Sequence, residues 1–184
     1  MASNMFKKYV NLFVKNKTTS IVIQRKDDCY YICDGFIMLK LPAVFYTAYV
    51  RTVSTIFPDL AEGQSAIRKP GEALAELAPE NRNLADLLDK FNADKPAQLT
   101  RLLCLNDQNK LVRYVNIGKN KMAVYNNDFI TAAQEFIDSE NVKATSDRYP
   151  ALKWENADMQ IACVIMPVNF PGAATALKDV AMTL

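Results

Sequence analysis

The sequence predicts an α+β fold, in which two main helices pack on antiparallel sheet, from three observations. A segment near the N-terminus has the apolar spacing of an amphipathic helix, and a second such segment begins near residue 126. Short stretches of alternating apolar and polar residues, separated by turn residues, surround these helices, as is typical of antiparallel strands. A chain of 184 residues is long enough for one sizeable core, and we predict one domain over residues 1–184.

The first helix is predicted in NMFKKYVNLFVKNK, residues 4–17. Its apolar residues recur at the spacing of one helix face, and this face is expected to be buried. The opposite side of the segment is basic. The lysines that we single out there are Lys7, Lys8, Lys15 and Lys17. Such a surface is either an ordinary solvated face or a surface for a polyanion, and both alternatives stay open.

A meander of three strands is predicted after the first helix. Ile21 and Ile23 alternate with polar neighbours, and the apolar pattern resumes in residues 30–33 and 36–41. Between these last two strands, Asp34-Gly35 is a hairpin signal because glycine adopts a positive φ without penalty. The first part of the chain is therefore expected to be a helix followed by three antiparallel strands.

The middle of the chain has a different character. Residues 43–57 combine apolar residues at helical spacing with β-branched residues, and we predict a helix there. Residues 58–97 are rich in Ala, Glu, Asp and Pro and show no strand pattern, so we predict a helical insertion or connection. A short helix within it is indicated by a stripe of apolar residues: Leu84, Leu87, Leu88 and Phe91.

The second half repeats the alternation of strands and helix. Two strands are predicted on either side of residues 106–109, and a third follows the turn at residues 118–120. The second main helix is predicted in NNDFITAAQEFIDSE, where an Asn at the front is a suitable N-cap. Its outer face is acidic: Asp128, Glu135 and Asp138. Three strands are expected to finish the domain: 142–146, 151–154 and 160–166.

Composition argues against several function classes. The net charge is only +2, which is weak for a non-specific nucleic-acid binder. The chain has no histidine, and its five glycines do not form a phosphate-binding loop, so we predict no enzyme, no catalytic residue and no cofactor. Its four cysteines lack paired zinc-knuckle spacing, and we predict reduced core cysteines and no metal site. No signal peptide or membrane span is evident, so the expected location is cytoplasmic.

The segments NNDFITAAQEF, RYPALKW and MQIACVIMPV, in this order, resemble the final portion of the bacterial DNA polymerase sliding clamp. That family opens its last inner helix with an Asn followed by an aromatic and an aliphatic residue, and Asn126, Phe129 and Ile130 match this pattern. The family then has a strand pair containing a proline, which Pro150 matches, and it closes on a strand that ends in Met-Pro, like Met166-Pro167. The segment CDGFIMLKLP is also similar to the family's Asp-Gly hairpin.

The resemblance implies a DNA-clamp-like domain with a role in DNA replication, as an accessory or processivity-related factor of phage or mobile-element origin. It implies that Lys7, Lys8, Lys15 and Lys17 contact double-stranded DNA. It also implies that Met166 and Pro167 border an apolar pocket for a partner peptide, such as one from a DNA polymerase or another replication protein. One domain cannot encircle a duplex, so clamp activity requires a homo-oligomer. The alternative is a protein-interaction module that kept the clamp fold without DNA binding.

Overall fold

A computed structural model describes residues 2–15, 18–52, 56–78, 83–106, 108–118, 121–134, 142–146 and 148–168. The fold is mixed, as predicted, and strands dominate it. The described strands form one sheet of nine strands and one of three. All neighbouring strands in both sheets are antiparallel.

The strands are β1 Ile21–Lys26, β2 Cys29–Cys33, β3 Ile37–Pro42, β4 Ser65–Arg68, β5 Leu74–Leu77, β6 Ala93–Pro96, β7 Gln98–Leu105, β8 Leu111–Asn116, β9 Met122–Asn126, β10 Lys143–Thr145, β11 Leu152–Asn156 and β12 Ile161–Ile165. The nine-stranded sheet has the order β5-β4-β1-β2-β3-β12-β11-β10-β6, and the three-stranded sheet has the order β7-β8-β9. The helices are α1 Ala2–Lys15, α2 Ala43–Phe45, α3 Leu84–Lys90 and α4 Asn127–Gln134. Residues Tyr46–Val50 continue α2 as a π-helical turn. None of the described helices is long and apolar enough to cross a bilayer.

The predicted meander is confirmed as β1, β2 and β3. Asp27 and Asp28 both have positive φ, 54° and 56°, and form the two-residue turn between β1 and β2. At the next turn Gly35 has a φ of 91°, and the Asp34 carboxylate accepts hydrogen bonds of 2.9 Å from the N–H groups of Phe36 and Ile37. The Asp-Gly hairpin signal therefore identified this turn correctly.

The prediction of a helical insertion over residues 58–97 is wrong in most of its length. Among the described residues of this range, α3 is the helical part, as the leucine stripe indicated, whereas β4, β5 and β6 are strands. β4 pairs with β1 and β5 with β4, and β6 pairs with β10 at the other end of the large sheet. Each of these strands has only four residues, too few for an alternating pattern to show, and hydrogen bonds to strands distant in sequence select the extended conformation.

The helix predicted over residues 43–57 is present in shortened form. α2 covers three residues and the π-helical turn covers five more, while residues 53–55 lie outside the described part of the chain. Tyr46 and Val50 are the buried residues of this turn. The described part of this segment is thus a short helix that is widened over Tyr46–Val50 and packs against α1.

The second half of the chain follows the predicted order. β7, β8 and β9 lead into α4, and the Asn126 side chain accepts a hydrogen bond of 2.9 Å from the N–H of Asp128, which confirms the predicted cap. β10, β11 and β12 then complete the large sheet. β12 pairs with β3, with Val164 opposite Met38, so the first and last strand groups share one sheet. The spacing of residues in the sequence did not predict the pairing of β12 with β3.

The main core, formed on the helix side of the sheets, contains residues from α1, α4 and both sheets. Val10 and Phe13 of α1 are fully buried in the same cluster as Ile130 of α4 and Trp154 of β11. A second cluster lies on the opposite face of the large sheet, where Leu84 and Leu88 of α3 pack. Each face of the central strands is thus covered, which explains why those strands are almost continuously apolar.

All four cysteines lie in the described ranges, and none of them forms a disulfide. Cys29 and Cys163 are buried, as predicted, but Cys33 and Cys104 are partly exposed. Cys33 is the last residue of β2, and Cys104 lies on β7, which is an edge strand of the small sheet. Burial raises the pKa of the Cys29 thiol.

Candidate functional site

The helices α1 and α4 lie side by side and enclose a groove of about 410 Å³. Core packing sets this arrangement, because Val10 and Phe13 on α1 and Ile130 and Ala133 on α4 enter one cluster. The outward sides of both helices therefore form one continuous surface, here termed the helix-pair surface. Its groove is lined by Lys8, Asn11, Leu12, Asn127, Asp128, Thr131 and Ala132.

The structure describes the side chains of two of the four lysines that were predicted to bind DNA. Lys7 and Lys8 are exposed on α1, and Lys8 lies opposite the face that carries the buried Val10 and Phe13. Lys15 is the last residue of α1, but its side chain lies outside the described residues, and so does Lys17 entirely. Of the four lysines, Lys8 is among the described residues that line the groove of the helix-pair surface, and DNA contact by all four stays a prediction.

The predicted acidic face of the second helix shares that surface. Asp128 is exposed and lines the same groove as Lys8. The neighbouring Asn127 is buried, and its side-chain oxygen accepts a hydrogen bond of 2.9 Å from Nε of Arg113 on β8. Glu135 and Asp138 lie outside the described residues. The described helix-pair surface thus carries both signs of charge, which weakens its attraction for phosphate.

Met166 and Pro167 follow β12 and are both partly buried. The N–H of Met166 donates a hydrogen bond of 2.8 Å to the carbonyl of Phe36, and the Met166 side chain packs against the second cluster. Phe36 itself is 50% exposed. Phe36 and Met166 thus lie side by side in an apolar corner next to the Asp34-Gly35 turn, and Pro167 follows Met166 in the chain. The peptide pocket predicted for Met166 and Pro167 stays a prediction.

A larger groove, of about 620 Å³, lies between α3 and the start of β1. The described residues that line it are Thr19, Ser20, Val22, Cys33, Asp34, Gly35, Asn83, Leu84, Asp86, Leu87 and Lys90. The Asp34-Gly35 turn thus belongs both to this groove and to the neighbourhood of the apolar corner. Met166 and Pro167 are not among the groove's described lining residues.

Sequence reasoning missed the α3 groove because the position of α3 depends on a long-range contact. The side-chain oxygen of Gln24, a buried residue on β1, accepts a hydrogen bond of 3.0 Å from the N–H of Ala85 at the start of α3. Asn83 caps the same helix by accepting from the N–H of Asp86 at 3.2 Å. The Asn before the leucine stripe was a local signal for the cap, but nothing in the sequence linked Gln24 to Ala85.

The titratable groups with the largest shifts are tyrosines in the cores. Burial raises the pKa of Tyr46 and Tyr125 strongly and that of Tyr31 to about 12. The hydroxyl of Tyr125 donates a hydrogen bond to the carbonyl of Pro150, so it has a structural role. Within the described ranges, no three residues of the types His, Cys, Asp and Glu group as metal ligands.

Comparisons with known proteins give structural neighbours only. No known family model and no curated protein sequence matches the chain. Among solved structures, the chain is similar to a DNA polymerase III β subunit described as putative, from Eubacterium rectale, with 14% identity and a TM-score of 0.39. That alignment covers 92% of this chain and 64% of the other.

The DNA polymerase sliding clamp from Bacillus subtilis is also similar, with 14% identity, a TM-score of 0.35, and coverage of 91% and 63% of the two chains. The β subunit of the DNA polymerase of Streptococcus pyogenes has 12% identity, a TM-score of 0.35 and the same coverage. The chain thus spans less than two thirds of the length of each of these three structures.

Proposed function

We propose that the chain is a non-enzymatic, clamp-like accessory or processivity-related factor of DNA replication that acts in the cytoplasm as a homo-oligomer. Its proposed partners are double-stranded DNA and a DNA polymerase or another replication protein. A phage or mobile element is the proposed source. The proposal rests on the ordered C-terminal motifs and on one structural observation, the packing of α1 beside α4 on the helix side of the sheets.

The helix-pair surface supports sequence-independent contact with DNA. Lys7 and Lys8 are exposed on α1, and Lys8 lines the groove of this surface. Lysine is a flexible point charge that contacts phosphate without reading a base. Asn11 and Thr131 line the same groove and offer neutral hydrogen-bonding groups. Asp128 opposes phosphate binding at one end of α4. Binding by one copy should therefore be weak, and several copies on one duplex are needed for stable attachment.

Duplex DNA titrated at low and at moderate salt tests the proposal. The wild-type protein is expected to bind a fluorescently labelled duplex at low salt and to lose affinity steeply as salt rises, because counterion release drives phosphate contact. The triple variant Lys7→Glu, Lys8→Glu, Lys15→Glu should lose this binding. Because the charges of three lysines are reversed, we expect the affinity for DNA to fall at least tenfold, which corresponds to about 1.4 kcal/mol.

A matched control variant tests whether a loss of DNA binding comes from the helix-pair surface or from the change in net charge. Lys90, Lys95 and Lys121 are exposed and are not among the described residues that line the helix-pair groove. The triple variant Lys90→Glu, Lys95→Glu, Lys121→Glu changes the net charge by the same amount and should retain most of the binding. Equal loss in both variants, or no salt-sensitive binding by the wild type, would overturn the DNA-contact proposal.

A protein-interaction module without DNA binding is the second candidate function. Asp128 in the groove of the helix-pair surface and the exposed ring of Phe36 beside Met166 favour it. This candidate predicts peptide or protein binding that is unaffected by the lysine variants. It also predicts no duplex binding at low salt, so the same titration separates the two functions.

A further inference from the structure

The small sheet carries an apolar cluster of its own, here termed the third cluster. Val112 and Tyr114 of β8 and Val124 of β9 form it, and they are only 1%, 5% and 5% exposed. Cys104 of β7 and Met122 of β9 are the partly buried residues that pack against these three. The described members of the third cluster thus all come from the small sheet itself.

The third cluster lies on the face of the small sheet that points away from the main core. Tyr114 lies opposite Val124 in the pairing of β8 with β9. The residues that follow them along the two strands, Val115 and Tyr125, belong to the main core. Since successive residues of a strand point to opposite faces, Tyr114 and Val124 point to the outer face of the small sheet.

The burial of the third cluster requires a covering layer over this outer face. Side chains on one face of a sheet touch one another sideways, and without a second layer their outer ends stay in water. The large ring of Tyr114 is nevertheless almost completely buried. α4, the described helix that packs on the small sheet, contributes to the main core on the other face. The cover of the third cluster therefore comes from another part of the chain.

The chain after β12 leads to the rim of the third cluster. Residues 166–168 leave the large sheet, and the N–H of Val168 donates a hydrogen bond of 2.8 Å to the carbonyl of Val124 on β9. Val124 is itself a member of the third cluster. Residues 169–184 follow directly in the sequence and lie outside the described ranges. This segment is thus attached to the sheet at the place where a cover is needed.

The sequence of residues 169–184, NFPGAATALKDVAMTL, has the pattern of a turn followed by an amphipathic helix. Pro171-Gly172 is a turn signal. Apolar residues then recur at the spacing of one helix face: Ala173, Leu177, Val180, Ala181 and Leu184. A helix over residues 173–184 would span about 18 Å, which is close to the about 20 Å of a six-residue strand such as β8.

We propose that residues 173–184 form an amphipathic helix that docks within the same chain on the outer face of the small sheet. Its apolar stripe covers the third cluster, and burial of this stripe offsets the entropy lost when the segment is ordered. Docking gives the small sheet a helix on each face, as the large sheet already has. It also holds Val168 at β9. This inference does not depend on the proposed role in DNA replication.

Thiol labelling of the full chain, resolved by mass spectrometry for each cysteine, tests the docking from the side of the sheet. Cys104 packs against the third cluster, so its labelling rate reports on the cover. The double variant Leu177→Asp, Val180→Asp places two charges in the apolar stripe and should speed the labelling of Cys104 by at least about tenfold. Cys33, which is also partly exposed but lies on β2 of the large sheet, is the internal control and should keep its rate.

A matched variant places the same two charges on the polar side of the proposed helix. In the double variant Thr175→Asp, Thr183→Asp, Cys104 should be labelled at the wild-type rate. Equal rates in the wild type and the stripe variant, or equal acceleration in both variants, would overturn the inference. Docking within one chain is independent of protein concentration, so protection of Cys104 that disappears on dilution would overturn it as well.

Limited cleavage by trypsin after Lys178 tests the docking from the side of the segment. A docked helix resists this cleavage, because the protease acts on a locally unfolded chain. Met122→Glu places a charge in the third cluster and should speed the cleavage after Lys178 by at least about tenfold. Met159→Glu is the control, because Met159 is 41% exposed in the turn before β12, and it should leave the rate unchanged. Equal cleavage of the wild type and Met122→Glu would overturn the inference.

Discussion

Tyr30 and Tyr46 stack face to face in the main core, with their ring centroids 3.6 Å apart and their planes 1° from parallel. Tyr30 belongs to β2, and Tyr46 begins the π-helical turn. The Tyr46 hydroxyl donates a hydrogen bond of 2.7 Å to the carbonyl of Pro58, and the Tyr30 hydroxyl accepts one of 3.1 Å from the N–H of Leu60. The stacked pair thus attaches the loop that precedes β4 to the core.

Removal of the Tyr46 hydroxyl should destabilise the fold. Tyr46→Phe keeps the ring stack but leaves the Pro58 carbonyl without this donor, and we expect a loss of about 1–2 kcal/mol in the free energy of unfolding. Tyr46→Ala also removes a fully buried ring and should cost about 3–5 kcal/mol. Urea unfolding followed by fluorescence measures both. Tyr149→Phe is the control, because the Tyr149 ring is 62% exposed. A Tyr46→Phe protein as stable as the wild type would contradict the structural role of the Tyr46 hydroxyl.

Alkaline pH should destabilise the protein partly through Tyr31. Burial raises the pKa of Tyr31 from 10.0 to about 12. Above about pH 10 the unfolded chain loses this proton while the folded chain keeps it, so the free energy of unfolding falls as pH rises until the folded pKa is passed. Tyr31→Phe should therefore show a shallower loss of stability than the wild type in urea titrations between about pH 9 and about pH 11. Equal slopes for the two proteins would contradict the prediction.

The hydrogen bond between Gln24 and Ala85 should hold α3 in place over the second cluster. Gln24→Ala leaves the buried N–H of Ala85 without its acceptor, and we expect a loss of about 1–3 kcal/mol in the free energy of unfolding. Amide hydrogen exchange should accelerate in α3 more than in β2. Lys26→Ala, which removes an exposed ion pair of 3.0 Å with Asp86, should have little effect on either measurement. Unchanged exchange in α3 after Gln24→Ala would show that packing alone fixes this helix.

Met166 should contribute to partner-peptide binding if the apolar corner is a docking site. Met166→Ala removes apolar surface beside Phe36, and we expect the affinity for a short clamp-binding peptide to fall about tenfold, by about 1.4 kcal/mol. Fluorescence anisotropy with a labelled peptide measures the change. Met159→Ala is a matched control, because Met159 is 41% exposed in the turn before β12. Equal affinities of the wild type and Met166→Ala would exclude Met166 from a peptide site.

The local signals in the sequence predicted most of the elements that depend on near neighbours. The apolar stripe of α1 identified a helix whose Val10 and Phe13 are fully buried. Asp34-Gly35 identified a turn whose geometry requires a positive φ at the glycine, and Asn126 identified the start of α4. In each case the determining contact lies within a few residues, so the sequence contains it directly.

The way in which these elements pair and pack is seen only in the tertiary structure. The four-residue strands β4, β5 and β6 have little pattern of their own, and their conformation follows from hydrogen bonds to β1 and β10. The same holds for the pairing of β12 with β3 and for the position of α3, where Ala85 donates a hydrogen bond to Gln24. The sequence by itself determined the helices, turns and longer strands, because periodicity and capping act over a few residues. The order of strands in a sheet and the grooves on the surface depend on contacts between residues far apart in the chain. Local sequence patterns do not specify such contacts.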